Sequence, residues 1–229
     1  VIPSSIIEDC CESHGATIRG KKVGTYGRIS NFSFYYAHHM TTIEGGMVCT
    51  NEEHVYQTIR ALRSHGMVRE MRNETRKKAW AADYPNVHPS FLFMAPAYNV
   101  RSTEINAVLG LNQLKRLDLN NDKRVINFKV FLDELCPKLY RTKLAVEGAV
   151  PYSLLVILNE PDVKLRNRVE RLFDLCKVEY RRGLSGGGNQ LRQPYLRGRP
   201  FSKSDFPQVE HITDFSWYVG NAPDLDHKK

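Results

Sequence analysis

The chain has 229 residues, 41% of them hydrophobic and 25% charged, a mix that excludes disordered and collagen-like chains. No run approaches the roughly 20 apolar residues of a membrane span, and no charged-then-apolar leader opens the chain, so the reading is cytoplasmic. Lys plus Arg number 33 against 25 Asp plus Glu, and the resulting +8 suits an anionic partner. Because the charges are spread along the chain, small phosphorylated ligands fit better than nucleic acid, although simple basicity without a partner explains the same numbers.

The cysteines (Cys10, Cys11, Cys49, Cys136 and Cys176) are odd in number and irregularly spaced. No C-x-x-C pair occurs, so a zinc or iron–sulfur site has no visible frame, and buried reduced thiols are the simplest reading. The chain opens on Val1 and closes on Asp226-His227-Lys228-Lys229. Both ends read as cut, and a fragment of this kind is expected to be inactive by itself.

In chain order, Ile2 to Asp9 reads as a buried strand ending in two acids, followed by a turn-rich stretch with Gly15, Gly20, Gly24 and Gly27. Ile29 to Tyr36 alternates as a second strand, a polar loop runs from Ala37 to Gly46, and Met47 to Thr50 is a third strand. Asn51 is positioned to cap a helix that stops at His65-Gly66. Arg69 to Ala97 shows few helix or strand signals and reads as a long loop.

Ser102 or Thr103 caps the next helix, whose apolar face is Ile105, Val108, Leu109, Leu111, Leu114 and Leu117. A second helical stretch covers about Asp122 to Leu139. Tyr152 to Leu158 reads as a strand, Val163 to Cys176 as a helix and Val178 to Arg181 as a strand. The domain boundary falls at 125/126, and no internal repeat is visible.

Three segments carry chemistry. Glu8-Asp9 puts acids at the C-terminal end of a strand, where ligands sit in open α/β sheets; a helix N-cap at Asp9 with Glu12 as its capping-box partner fits equally well. His38-His39 follows a strand and precedes Gly45-Gly46, and imidazole serves as acid–base catalyst or metal ligand, though a solvated pair is the plainer reading. On extended backbone, neighbouring side chains point apart, so the two would not chelate one metal. The third segment, Arg182 to Tyr195, contains Gly186-Gly187-Gly188, which either frees the backbone to approach a ligand or makes a flexible turn.

Taken together, these motifs resemble an ordered series. Glu8-Asp9, His14-Gly15-Ala16, Gly24-Thr25-Tyr26-Gly27, Phe32-Ser33-Phe34 and Glu44-Gly45-Gly46 are followed by Tyr98 to Ile105, Gly110-Leu111 with Gln113-Leu114, and Tyr218-Val219-Gly220-Asn221. In that order they resemble the DegT/DnrJ-type sugar aminotransferases. The resemblance implies an α/β chain of the aspartate-aminotransferase-like fold type I. Residues 1–125 would be the C-terminal part of the large pyridoxal-phosphate-binding domain and 126–229 a small C-terminal α/β domain. The family's N-terminal portion would be missing.

In that family the residue six before the glutamate of Glu-Gly-Gly is the lysine that binds the cofactor covalently. Here that residue is His38, which has no primary amine. The departure resembles the family's dehydratase branch, in which histidine replaces lysine, and Glu12 fits the same branch. A related iron–sulfur type carries cysteines in the middle loop, and Arg69 to Ala97 has none.

The resemblance therefore implies a nucleotide-sugar 3-dehydratase that uses pyridoxal or pyridoxamine 5'-phosphate, a nucleotide-linked 4-ketosugar and L-glutamate. It implies His38 as catalytic base, Asp9 on the pyridine nitrogen, Glu12 at the ring's other polar edge and Ser33 on the phosphate. It further implies Asn99 reaching into a neighbouring subunit of a homodimer, and Arg192 on a substrate carboxylate or phosphate. An aminotransferase of altered activity, a non-catalytic homologue, and a metal enzyme using His38 and His39 are the alternatives. The absence of acids and cysteines near the pair disfavours the last.

Overall fold

The computed structural model describes residues 6–226, so residues 2–5 of the expected first strand and the terminal 227–229 lie outside the described residues. The chain divides into two compact units, Val1–Leu117 and Asp118–Lys229, eight residues before the boundary that the sequence suggests.

In the first unit, β1 (Ile7–Asp9), β4 (Ile29–Ser33) and β5 (Gly46–Thr50) form a three-stranded sheet in the order β1-β4-β5. β1 and β4 run parallel with Asp9 opposite Asn31, and β5 is antiparallel to β4 with Ser33 opposite Gly46. Between β1 and β4 lies a hairpin of β2 (Thr17–Ile18) and β3 (Lys21–Lys22). Arg19 and Gly20 both take positive φ in its turn, the conformation that two-residue hairpins favour.

α1 (Glu53–Leu62) starts one residue later than a cap at Asn51 would give. Its N-cap is Glu52, whose N–H donates to Thr50 Oγ1 at 3.2 Å. It ends at Leu62 with Arg63 as C-cap, two residues before the expected end near Ser64, and Gly66 follows in a turn where a Cβ would fall 2.0 Å from the Ala95 carbonyl oxygen.

The stretch Arg69 to Ala97 is not one loop. It contains α2 (Glu74–Asp83), capped by the Asn73 side chain accepting from the Arg76 N–H. None of its residues is buried, so no hydrophobic period marks it in the sequence. Around it, Ala61, Val68, Met71 and Leu92 make a small core.

α3 (Glu104–Leu114) begins with a Thr103–Asn106 capping box. Its expected apolar face is not buried in this chain, with Ile105 73% and Leu111 64% exposed. Gly110 faces Thr42, and the Asn106 amide donates to the carbonyls of Thr42 and Glu44, which pins the turn after β4.

α4 (Leu117–Glu134) starts about five residues before the sequence expectation. The second unit then builds β6 (Ser153–Ile157), α5 (Val163–Leu175), β7 (Tyr180–Arg182), α6 (Pro207–Phe215) and β8 (Ser216–Gly220). The sheet order is β6-β8-β7, all antiparallel, so β8 is its centre although the sequence reading assigns no strand there. Val156, Leu158, Val169, Phe215 and Trp217 form the core. At the end of β8, buried Asn221 donates to the Arg124 and Pro151 carbonyls and accepts from Asn127, tying helix to sheet. No helix among the described residues is long and apolar enough to cross a membrane.

Candidate active site

Successive strand residues face opposite ways, so the parallel β1–β4 pair sorts its side chains onto two faces. Glu8, Ser30 and Phe32 share one face; Asp9, Asn31 and Ser33 share the other.

On the first face, the Glu8 carboxylate accepts N–H bonds from Gly24 at 2.6 Å, Tyr26 at 2.7 Å and Gly27 at 2.5 Å. Burial pushes its pKa up, but the three N–H groups outweigh burial and leave it below the usual carboxylate value. Ser30 Oγ donates to the Gly24 carbonyl, and a Cβ on Gly24 would meet the Phe32 ring at 2.6 Å. His14 is buried beside the Phe32 ring, 5.3 Å between centroids, and 5.5 Å from the His39 ring. Burial, with a smaller effect from His38, holds its pKa down at about 4.

On the second face, Asp9 Oδ1 accepts the Cys11 N–H at 3.1 Å and the Asn31 Nδ2–H at 3.0 Å. The Cys11 thiol also bonds Asp9; with these contacts and the nearby His38, the carboxylate lies below its ordinary pKa. Burial and the bond to Asp9 push the thiol itself up to about 11. The Asp9–Cys11 bond is an Asx turn, and no helix follows, so the N-cap reading of Asp9 and Glu12 is set aside.

His38 Nε2 lies 3.8 Å from Glu12 Oε1, and its ring packs edge-on against Tyr35 at 5.4 Å. His39, 3% exposed, turns to His14 instead. The backbone here is a turn, with the His38 N–H donating to the Tyr35 carbonyl, so the two histidines diverge through a turn and not through extended geometry. Ser33 Oγ accepts from the Tyr35 N–H at 3.2 Å, which leaves its own O–H to donate elsewhere.

Asp9, Glu12, Ser33 and His38 therefore converge at one end of the β1–β4 pair. Asn99 is not among them: it bridges to Ser64, and its Oδ1 accepts from Arg101 Nε at 3.0 Å in an exposed segment. Arg192, in the second unit, is engaged by two acids of that unit. It donates to Glu210 through Nε at 3.1 Å and Nη2 at 2.5 Å, and to Asp214 through Nη1 at 2.8 Å and Nη2 at 2.7 Å. A guanidinium closed by two carboxylates does not invite a third anion. In the Gly-rich segment before it, Gly188 is closely packed, since a Cβ there would fall 2.4 Å from Thr213 Oγ1, whereas Gly187 has open space.

Asn31 and Cys11 went unnoticed in the sequence, where a lone strand asparagine carries no signal. Only the register Asp9↔Asn31 would have pointed to it. Among the described residues, no group of three or more His, Cys, Asp or Glu could hold a metal ion.

Residues 4–212 match the sequence model of the DegT/DnrJ/EryC1/StrS aminotransferase family. The chain belongs to that family. A relative within it, GDP-4-keto-6-deoxy-D-mannose 3-dehydratase of Escherichia coli O55:H7, is 37% identical over 129 residues, 56% of this chain and 33% of that protein. The UDP-4-amino-4,6-dideoxy-N-acetyl-beta-L-altrosamine transaminase of Campylobacter jejuni serotype O:23/36 is 36% identical over 119 residues, 52% of this chain and 27% of that protein. The fold is that of the solved E. coli GDP-4-keto-6-deoxy-D-mannose-3-dehydratase with bound hydrated PLP: TM-score 0.71 at 24% identity, covering 95% of this chain and 56% of that one. This fold type I assignment agrees with the sequence reading. The matched segments thus cover between 27% and 56% of these proteins' length.

Proposed function

We propose that this family member is a pyridoxal-phosphate-dependent nucleotide-sugar 3-dehydratase resembling GDP-4-keto-6-deoxy-D-mannose 3-dehydratase, with glutamate as amino donor. The observation that carries the reading is His38: an imidazole stands at the family's lysine position, 3.8 Å from the Glu12 carboxylate. Bound pyridoxamine phosphate supplies an amine for the sugar's 4-keto group and an electron sink for the carbon next to its ring.

Asp9 is the group that would hold the protonated ring nitrogen. Its bonds to Cys11 and Asn31 favour the ionised carboxylate, which is what a pyridinium needs opposite it. Ser33 O–H would donate to the cofactor phosphate, and Asn99 would contribute from a second copy of a homodimer. His38 Nε2 takes a proton from carbon and returns one to the departing C3 hydroxyl; Glu12 gives the charged imidazole a nearby counter-charge. Arg192 has no part in this assignment. The work is cytoplasmic deoxysugar synthesis.

A specific observation keeps the transaminase in view: a transaminase relative is nearly as similar as the dehydratase. The deciding experiment gives the full-length protein pyridoxal phosphate, glutamate and GDP-4-keto-6-deoxymannose. Ammonia and a 3-deoxy ketosugar support the dehydratase, whereas an aminosugar with no free ammonia supports the transaminase. Borohydride treatment should leave the peptide carrying residue 38 unmodified in either case.

A further inference from the structure

The Asp9 carboxylate is built into its position by a residue to which the family resemblance gives no role. Asp9 and Asn31 are register partners on adjacent parallel strands, so their side chains leave the sheet on the same face. Asn31 Nδ2 donates to Asp9 Oδ1 at 3.0 Å and also approaches Cys11 Sγ at 3.1 Å. The Cys11 N–H donates to the same Oδ1. Both amide donors thus converge on one oxygen, and Oδ2 takes neither of them.

That asymmetry matters chemically. A carboxylate on a strand end rotates about its last bond, and two fixed donors on one oxygen define the plane and the direction of the other. The donors come from two separate pieces of backbone, β4 and the connection after β1, so neither can drift without the other. Cys11 cannot take over as a competing anion, since its thiol is pushed up to about 11. The titratable groups that act on Asp9 are this thiol and His38.

We infer that Asn31 is a positioning residue of the cofactor site, orienting Asp9 so that its second oxygen faces the ring nitrogen of pyridoxal phosphate. The inference rests on the cofactor reading given under Proposed function. It adds a residue whose effect is exerted through Asp9 and not by touching the cofactor.

The substitutions Asn31→Ala and Asn31→Asp separate positioning from packing. Asp is the closer match in shape, so a packing role makes Ala the more damaging change. A positioning role makes Asp the more damaging one, because it replaces a donor with a like charge beside Asp9. Two readouts apply to the whole chain. One is the Asp9 titration followed by carboxyl carbon NMR without cofactor; the other is the affinity for added pyridoxal 5'-phosphate by absorbance titration.

The Asp9 midpoint should rise in the order unmodified, Ala, Asp. Affinity should fall roughly tenfold for Ala and further for Asp. Midpoint and affinity unchanged in both variants would overturn the inference, as would a native-like Asn31→Asp beside an unfolded Asn31→Ala. Asp9→Asn is measured alongside: if that change leaves cofactor affinity intact, it is the cofactor reading that fails, and this separates the two failures.

Discussion

Glu8 and Asp9 are neighbouring carboxylates on one short strand, and they have opposite circumstances. Glu8 is closed by three main-chain N–H groups from the 24–27 turn. Asp9 takes two amide donors on one oxygen, the Cys11 N–H and the Asn31 side chain, and is bonded by the Cys11 thiol as well. The histidines divide the same way: His14 and His39 pack on each other in the interior, while His38 stands beside Glu12. One face of the β1–β4 pair uses Glu8 and Ser30 to fix the 24–27 turn, and the other carries Asp9, Asn31 and Ser33. Both strand residues are carboxylates, and what separates them is how many main-chain N–H groups each accepts, three for Glu8 and one for Asp9.

The largest expected effect of breaking this division lies at His38. His38→Asn should lower dehydration by roughly 10²–10⁴-fold, the usual range for removing a general acid–base group, with the folded structure unchanged by circular dichroism. His39→Asn should cost far less turnover and more stability. Equal turnover losses in the two variants would mean that the two faces are not functionally distinct.

Glu8→Ala should act on the other side of the comparison. It leaves three N–H donors without their acceptor, and the chain should lose roughly 3 kcal/mol of stability in chemical denaturation. Asp9→Ala should lose less stability and much more cofactor affinity. If Asp9→Ala destabilised the fold as much as Glu8→Ala, Asp9 would belong with the structural face.

His14 sharpens the same point through pH. Its pKa is about 4 when folded against 6.5 ordinarily, so the unfolded chain binds more protons between these values. Stability tied to His14 is therefore complete above pH 6.5 and drains as pH falls toward 4. The full difference is about 3 kcal/mol at 1.36 kcal/mol per unit. His14→Phe should flatten that part of the stability–pH curve, and an unchanged slope would place the proton uptake on another group.

Much of this was legible in the sequence because it is local. The start of α1 follows from its first-turn acids, α3 from Thr103, and the site acids from their place at a strand's end. What escaped depends on partners far along the chain. α2 buries none of its residues and so leaves no periodic trace. β8 is read as a motif because Tyr218 to Asn221 matched a pattern, yet its central place in the sheet comes from pairing with residues 153–157 and 180–182. The partition of Glu8 from Asp9 needs the strand register, which adjacent letters do not carry.

Arg192 gives the smallest effect and the cleanest contrast with Asp9. By sequence it looked like an anion contact beside a glycine-rich segment, but Glu210 and Asp214 already engage it on both edges. Their pKa values are lowered, with Arg192 the first cause in each case. The stability this provides is present above the ordinary carboxylate values of 4.5 and 3.8 and is lost as pH falls through the lowered ones. Arg192→Ala should therefore cost on the order of 1 kcal/mol at neutral pH, since the three side chains are partly exposed and solvent screens them. The cost should fade in acid, where both carboxylates are neutral in either protein. Affinity for the nucleotide sugar should stay within twofold, roughly the scatter of a neutral substitution. A KM that rises sharply with unchanged stability would return Arg192 to the substrate, and would mean that a guanidinium can be closed by its own chain and still serve a ligand.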